Sequence, residues 1–178
     1  PRSVVGEIGL DRWKPGLAYE GQEEVFLAQM QLASEKDVAA SLHCLKAWGR
    51  LHDLLRQGPR PRRGFLLHSY GGPVEMVAPL ARLGAYFSFP GYFMHERKVR
   101  QRETFRSVPL DRLLIETDAP DQLLPDDLNP HPLTDPSGKP INHPANLGTI
   151  HEYLAHWLAV PCDELASRLL ENGRALFG

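Results

Sequence analysis

Residues 113–121 read LLIETDAPD, a run of aliphatic side chains that ends in two carboxylates and a proline. Leu113, Leu114 and Ile115 are typical of a strand that is covered on both faces, as in a parallel sheet. Glu116 and Asp118 are two positions apart and are therefore predicted to project from the same face. Since buried carboxylates need hydrogen bonds, cations or a metal ion around them, this strand end predicts either a capped turn or a functional site.

The rest of the chain alternates between strand-like and helix-like segments. Strands are predicted at residues 3–10, 38–44, 64–69, 85–89 and 112–117, with helices between them at about 22–35, 47–55, 73–83 and 96–106. Two more helices, at about 146–158 and 163–176, follow a long loop at 119–144 that is rich in Pro, Asp and Asn. Because strands that alternate with helices form a parallel sheet, the predicted fold class is α/β.

Two of the predicted helices carry an apolar stripe, as amphipathic helices that face a core do. The first helix places Val25, Phe26, Met30 and Ala33 on one side, and the helix at 146–158 places Leu147, Ile150, Leu154, Trp157 and Leu158 on one stripe. No short repeat or low-complexity segment interrupts this pattern.

The composition is that of an ordinary globular chain. Of the 178 residues, 42% are hydrophobic and 24% are charged, which predicts one domain or most of one. The net charge of −2 argues against a globally basic nucleic-acid binder but leaves a local basic patch open. Because no apolar run of about eighteen residues and no secretory leader is visible, and Cys44 and Cys162 are the only cysteines, we expect a cytoplasmic protein with no membrane segment.

Side chains that bind metals occur at or near the ends of four predicted strands. They are Glu7, His43, His68 and Asp118. One such residue is usually a hydrogen-bonded core histidine or a salt-bridged carboxylate, but four at the same edge of an α/β fold favour a site. Two imidazoles and two carboxylates suit Zn, Mn or Fe and, less well, Mg, so the sequence predicts a divalent metal without fixing which one.

Five motifs occur in a fixed order: GEIGLD (6–11), SLHC (41–44), LLHSYGG (66–72), IETDAP (115–120) and NHPANL (142–147). Together they resemble the TatD family of metal-dependent deoxyribonucleases over nearly the whole chain. The resemblance implies a TIM-type (β/α)8 barrel of the amidohydrolase kind, of which about five C-terminal βα units are present, so that residues 1–178 form the C-terminal part of a single barrel. It also implies that one or two divalent ions (Mg, Mn or Zn) activate water to digest single-stranded DNA from the 3′ end.

Two features depart from the family pattern. The family begins with a strand whose His-x-His pair completes the metal site, and this sequence contains no His-x-His. Because five predicted strands also fall short of a barrel, which typically takes about 250 residues, an N-terminal part is expected to be absent. In addition, HCLKAW (43–48) lacks the Arg and the acidic residue that the family commonly has soon after the histidine, which leaves the role of Lys46 open.

The resemblance assigns the metal ligands to Glu7, His43, His68 and Asp118. Glu7 is the natural bridge between two ions because a carboxylate can share its two oxygens, whereas the histidines are expected to bind in the neutral form. Asp118 and Glu116 are the predicted catalytic residues. Asp118 either binds metal or takes the proton from the attacking water, and Glu116 either supports the ligands from behind or activates the water.

Five residues are predicted to contact the substrate: Tyr70, Lys46, His95, Arg97 and His143. Tyr70 precedes two glycines that permit close approach of a phosphate, although a plain turn explains the glycines equally well. The segment 91–97 is expected at the rim of the site and the helix that follows it outside the rim, so the cations at 97–106 either meet phosphates or form a solvated face. His143 either lines the cleft or belongs to a helix cap.

Two other classes of function stay open. A metal-dependent hydrolase of a small amide, ester or lactone would use the same ligands, because such ligands do not encode the substrate. An inactive barrel relic that only binds phosphates is the second alternative, and the missing His-x-His keeps it open. The motifs that follow GEIGLD favour the nuclease, with single-stranded DNA as the partner, and leave protein partners open.

Overall fold

A computed structural model describes residues 3–13, 15–16 and 18–178, and these contain one five-stranded parallel sheet. The strands are β1 (Val5–Asp11), β2 (Ala40–Leu45), β3 (Phe65–Leu67), β4 (Ala85–Pro90) and β5 (Leu113–Glu116). They lie side by side in chain order, each parallel to its neighbour. All five predicted strands are confirmed, and consecutive parallel strands joined by helices are the arrangement of a TIM-type barrel.

In the described part of the chain six α-helices accompany the sheet, as the alternating pattern predicts. They are α1 (Tyr19–Lys36), α2 (Trp48–Gln57), α3 (Val77–Arg82), α4 (Val99–Phe105), α5 (Leu147–Leu158) and α6 (Cys162–Phe177). The α-helical parts of α3 and α4 are shorter than expected because each is entered through a 3-10 turn, at Val74–Met76 and Glu96–Lys98 respectively. The α/β fold class is confirmed.

Both faces of the sheet are covered, most completely at β4, where every residue is buried. Side chains alternate along a strand, so neighbouring residues of β4 pack into different hydrophobic clusters on the two faces of the sheet. Phe87 belongs to the large core beneath most of the helices, and Tyr86 belongs to a smaller cluster with Leu114 and Leu176, near the end of α6. The aliphatic run at 113–115 therefore belongs to a strand, β5, in a sheet that is covered on both faces.

Two positions of the predicted apolar stripes are wrong. Val25 is 56% exposed, whereas Phe26, Met30 and Ala33 are buried, because the stripe on α1 runs through positions i, i+4 and i+7 and Val25 lies about 100° away from Phe26. Leu147 is 41% exposed and is the first residue of α5, whereas Ile150 and Leu154 further along the helix are buried.

The segment 119–144 is more ordered than a plain loop. It contains a short antiparallel pair, β6 (Leu133–Thr134) and β7 (Pro140–Ile141). Asn142, which is 2% exposed, ties the segment to the end of β5 by donating hydrogen bonds to the carbonyl oxygens of Thr117 and Gln122. Among the described helices, none is long and apolar enough to cross a membrane.

Candidate metal centre

The parallel register brings the two predicted histidine ligands together. Leu42 of β2 pairs with Leu67 of β3, so the residues that follow them, His43 and His68, are neighbours at the same edge of the sheet. The backbone N–H of His68 donates to the carbonyl oxygen of Leu42 over 3.1 Å, which continues the pairing one residue further. The ring nitrogens His43 Nδ1 and His68 Nε2 are consequently 3.3 Å apart.

Glu7 completes a cluster of three ligand atoms. The pairing of β1 with β2 is irregular between Val5 and Ile8, and Glu7 lies in this irregular stretch, where a bulge can redirect a side chain. Its carboxylate contacts His68 Nε2. One ligand atom from each of Glu7, His43 and His68 lies within 4.8 Å of the others, which is the distance range of a shared cation. The structure therefore brings together three of the four predicted ligands.

Each histidine has a carboxylate behind its other ring nitrogen. Asp11 Oδ2 lies 3.5 Å from His43 Nε2, and Glu116 Oε1 lies 3.5 Å from His68 Nδ1. Carboxylates in this position fix the tautomer and orientation of a metal-binding histidine. The sequence reasoning missed Asp11, although the end of a strand in the GEIGLD motif was a signal that it would lie beside the neighbouring histidine.

Glu116 is held from behind the cluster and does not line the cleft. Its two carboxylate oxygens accept hydrogen bonds from the hydroxyls of Ser69 and Ser88. Burial raises its pKa, but the hydrogen bonds with His68 and the two serines lower it by more, so the pKa of Glu116 is below its usual value. Of the two roles predicted for Glu116, this placement favours support of the ligands from behind over activation of the water.

The charges of the cluster also act on His68. Burial lowers its pKa, but Glu116, Glu7 and Asp118 together raise it by more, so its pKa is above the usual value. Three carboxylates therefore act on His68, two of them in contact with its ring, which indicates a negative environment. Such an environment attracts a cation.

Asp118 lies in the same cleft but outside the three-atom cluster. Its backbone has a φ of 55°, in the left-handed region, which directs the chain away from the sheet two residues after β5 ends. Gln122 Nε2 donates to Asp118 Oδ2 over 2.5 Å and to Ser69 Oγ over 2.6 Å. Gln122 is a second residue that the sequence reasoning missed, because a glutamine in an irregular segment carries no spacing signal.

The cleft above the cluster has a volume of about 490 Å³. Its lining combines carboxylates, aromatic rings and a cation: Glu7, Trp13, His43, Cys44, Leu45, His68, Ser69, Gly71, Tyr92, Phe93, Lys98, Gln101, Asp118, Asp121 and Gln122. Trp13 is 63% exposed, which leaves its indole free to pack on a flat ligand. Lys98 Nζ lies 4.7 Å from the ring centre of Tyr92, so a cation and a ring are paired in the same cleft.

The residues predicted to contact substrate divide into three groups. Lys46 is exposed beside the cleft, with Nζ 5.8 Å from the ring centre of Trp13. Arg97 lies further out, where it donates to the hydroxyl of Tyr92, and His95 contacts the carbonyl oxygen of Leu123. Both line a neighbouring depression of about 350 Å³ and do not line the metal cleft.

Two of the predicted contacts have structural roles. The side chain of Tyr70 is fully buried, and its hydroxyl donates to the carbonyl oxygen of Pro73 over 2.8 Å, so a contact between this side chain and substrate is excluded. Burial also raises its pKa. His143 accepts a hydrogen bond from the backbone N–H of Ala145, which is the helix-cap alternative, and it does not line the metal cleft.

The residues of the basic segment at 97–106 differ in where they lie relative to the metal cleft. The prediction that the helix body lies outside the rim is wrong, because Lys98 and Gln101 line the metal cleft. Arg102 is buried and donates to the carbonyl oxygens of Phe93 and His95, and Arg106 pairs with Glu103. Only part of the segment is therefore available for phosphates.

Comparisons with known proteins agree on one family. A family model described as TatD related DNase matches residues 2–178. The 3′-5′ ssDNA/RNA exonuclease TatD of Pantoea vagans is 34% identical over 175 residues, and that of Escherichia coli K12 is 34% identical over 176 residues. In both comparisons 98% of this chain is covered, and the chain spans 65% of the length of the relative.

Solved structures show the same fold. The crystal structure of YJJV, a TatD homologue from Escherichia coli K12, superposes with a TM-score of 0.84 at 28% identity, covering 98% of this chain and 63% of that chain. A TatD-family hydrolase from Entamoeba histolytica superposes with a TM-score of 0.81 at 17% identity, covering 98% and 62% respectively, and this similarity concerns the fold alone.

Proposed function

Because this chain belongs to the TatD family, we propose that it contributes the active site of a divalent-metal-dependent nuclease that digests single-stranded nucleic acid from the 3′ end. The observation that carries the proposal is the convergence of Glu7, His43 and His68, with a carboxylate behind each histidine. Relatives named as 3′-5′ ssDNA/RNA exonucleases, 34% identical over nearly the whole chain, support the choice of substrate.

The donor set fits a divalent ion. Two imidazole nitrogens and a carboxylate oxygen suit Zn or Mn, and with further oxygen ligands Mg, and one or two ions are compatible with these residues. Glu7, His43 and His68 would hold the ion, and Asp118, which lines the same cleft, would be a further ligand or the base. A bound divalent ion would polarise the phosphodiester and lower the pKa of a coordinated water.

The chain's own residues would orient the imidazoles of the ligands and deprotonate the attacking water. Asp118 accepts the proton from the attacking water, and Gln122 fixes the carboxylate for this task through its 2.5 Å hydrogen bond. Asp11 and Glu116 hold the imidazoles in the orientation that binding requires, so we assign Glu116 a positioning role. Trp13 offers its exposed ring to a nucleobase, and Lys98, which lies over the ring of Tyr92 in the same cleft, offers its charge to a phosphate.

Asp118→Asn is the direct test of this proposal. The change keeps the size of the side chain and removes the charge and the basic oxygen, so we expect hydrolysis of 3′-labelled single-stranded DNA to fall at least about a hundred-fold. Asp127→Asn, at an exposed aspartate that does not line the metal cleft, is the matched control and should retain full activity. Thermal unfolding of both variants should match the wild type.

A panel of esters and lactones, assayed with and without a chelator, separates the proposal from its alternatives. The nuclease proposal predicts chelator-sensitive cleavage of single-stranded DNA and little turnover of the panel. Preferential turnover of a panel member would favour a small-molecule hydrolase, and DNA binding without cleavage would favour a relic. The prediction that residues 1–178 form the C-terminal part of one barrel, and that of a cytoplasmic location, stay predictions.

A further inference from the structure

A second cavity of about 280 Å³ adjoins the metal cleft. It lies between the end of β2, the turn after β3 and helix α4, and its lining includes Lys46, Trp48, Gly72, Pro73 and Arg100. Cys44, Leu45, Gly71 and Gln101 line both this cavity and the metal cleft. The two spaces therefore share a wall, and an extended ligand can enter both.

The charges of the two spaces are opposite in sign. The metal cleft is lined by the carboxylates of Glu7, Asp118 and Asp121, whereas the lining of the second cavity contains Lys46 and Arg100 and no acidic residue among those described. Both cations are exposed, and within the described part of the chain neither forms an ion pair with a carboxylate. Two unpaired cations in a concave site predict an anionic ligand.

The floor of this cavity is built from rigid parts. Tyr70 packs its ring against Trp48, with 4.7 Å between the ring centres, and its hydroxyl holds the carbonyl oxygen of Pro73. A Cβ atom at Gly72 would lie 2.7 Å from the ring of Tyr70, so only glycine lets the chain pass this close. The buried tyrosine thus fixes the turn that forms the floor. The backbone of Lys46 itself has a φ of 54°, in the left-handed region.

We propose that the second cavity binds the phosphate of the nucleotide adjacent to the one held in the metal cleft, through Lys46 and Arg100. This inference rests on the proposed nuclease function and deepens it. A ligand that spans both spaces presents an anion beside a metal-bound phosphodiester, and a polynucleotide has this repeat whereas a small ester does not. The cavity would make the protein select a chain with at least two phosphates over an isolated phosphodiester.

Kinetics on two substrates test the proposal. The substrates are a single-stranded oligodeoxythymidylate and bis(p-nitrophenyl) phosphate, which contains a single phosphodiester and so offers no second phosphate to the second cavity. We expect Lys46→Ala and Arg100→Ala each to lower kcat/KM for the oligonucleotide about ten-fold, mainly through KM, and to leave that for the small diester unchanged. The matched control is Arg82→Ala, an exposed arginine in the last turn of α3 that lines neither space.

Binding without turnover gives a second, independent measurement. Fluorescence anisotropy of a labelled oligodeoxythymidylate, with chelator present, measures affinity at several salt concentrations. Each of the two variants should reduce the slope of log K against log salt by about 0.7, the value for one lost phosphate contact on a single strand. The Arg82→Ala control should keep the wild-type slope.

The outcomes separate this inference from the proposed function. If the wild type cleaves the oligonucleotide and both variants do so equally well, with an unchanged salt slope, the cavity is not a phosphate site and the nuclease proposal stands. If both variants lose activity on the two substrates in the same proportion, the residues act on the catalytic centre and the inference is wrong. If the wild type neither binds nor cleaves single-stranded DNA, the proposed function and the inference fail together.

Discussion

Glu116→Gln tests whether the buried carboxylate acts by orienting His68. Glu116 Oε1 lies 3.5 Å from His68 Nδ1, and the carboxylate also accepts hydrogen bonds from Ser69 and Ser88. Glutamine has nearly the same shape, so the change removes the charge and one acceptor without opening a cavity. The imidazole then loses the partner that fixes its tautomer and ring orientation.

The expected loss follows from these contacts. Removal of a carboxylate behind a metal-binding histidine typically weakens metal affinity 10- to 100-fold, or about 1.4–2.8 kcal/mol. The free energy of unfolding should fall by less, because one serine can still donate to the glutamine oxygen and the other can rotate to accept from its amide. We expect the free energy of unfolding, measured in the presence of chelator, to decrease by about 1 kcal/mol, the net contribution of one hydrogen bond.

Calorimetric titration with Mn²⁺ measures the metal affinity, and thermal unfolding in the presence of chelator measures the stability of the metal-free protein. Glu152→Gln, at an exposed glutamate on α5, is the matched control for charge and should keep the wild-type Mn²⁺ affinity. A Glu116→Gln protein with unchanged Mn²⁺ affinity but a collapsed kcat would refute the positioning role. That result would restore Glu116 as the residue that activates the water.

Two further substitutions test the cleft wall and the buried tyrosine. Trp13→Ala should raise KM for single-stranded DNA about ten-fold, because a stacked base contributes about 1–3 kcal/mol, and should leave KM for bis(p-nitrophenyl) phosphate unchanged in the same assay. Tyr70→Phe leaves the carbonyl oxygen of Pro73 without its donor, so we expect denaturant unfolding to show a loss of about 1–2 kcal/mol with an unchanged slope. An unaltered midpoint for Tyr70→Phe, or an equal effect of Trp13→Ala on both substrates, would contradict the corresponding assignment.

The parts of the site that could be predicted are those fixed by strand position. Aliphatic runs followed by a polar residue reveal where a strand ends, and parallel strands bring their ends to one edge. This is enough to place Glu7, His43 and His68 together, as the structure does. Asp118 lines the same cleft as these three residues for the same reason, since it follows the last strand.

The remaining site residues depend on tertiary packing that has no sequence signal. Tyr70 follows His68 by two positions, and its proximity in the chain suggested a substrate contact. In the folded protein its ring packs between Trp48 and Phe87 in the core, because the turn after β3 directs the side chain inward. The position of α4 was misjudged for a similar reason, since a 3-10 turn at Glu96–Lys98 comes before the helix and its first turn borders the cleft.

The turns at the strand ends explain why the polar residues behind the cluster form one network. Lys46, Ser69 and Asp118 have φ values of 54°, 46° and 55°, and each follows its strand by one or two residues. The left-handed conformation costs a non-glycine residue about 1–2 kcal/mol, so the surroundings must hold it in place. Gln122 donates to both Ser69 and Asp118, and Ser69 in turn donates to Glu116. The hydrogen bonds that orient His68 therefore also stabilise two of the turns that carry the cleft wall, which couples the geometry of the ligands to the shape of the substrate site.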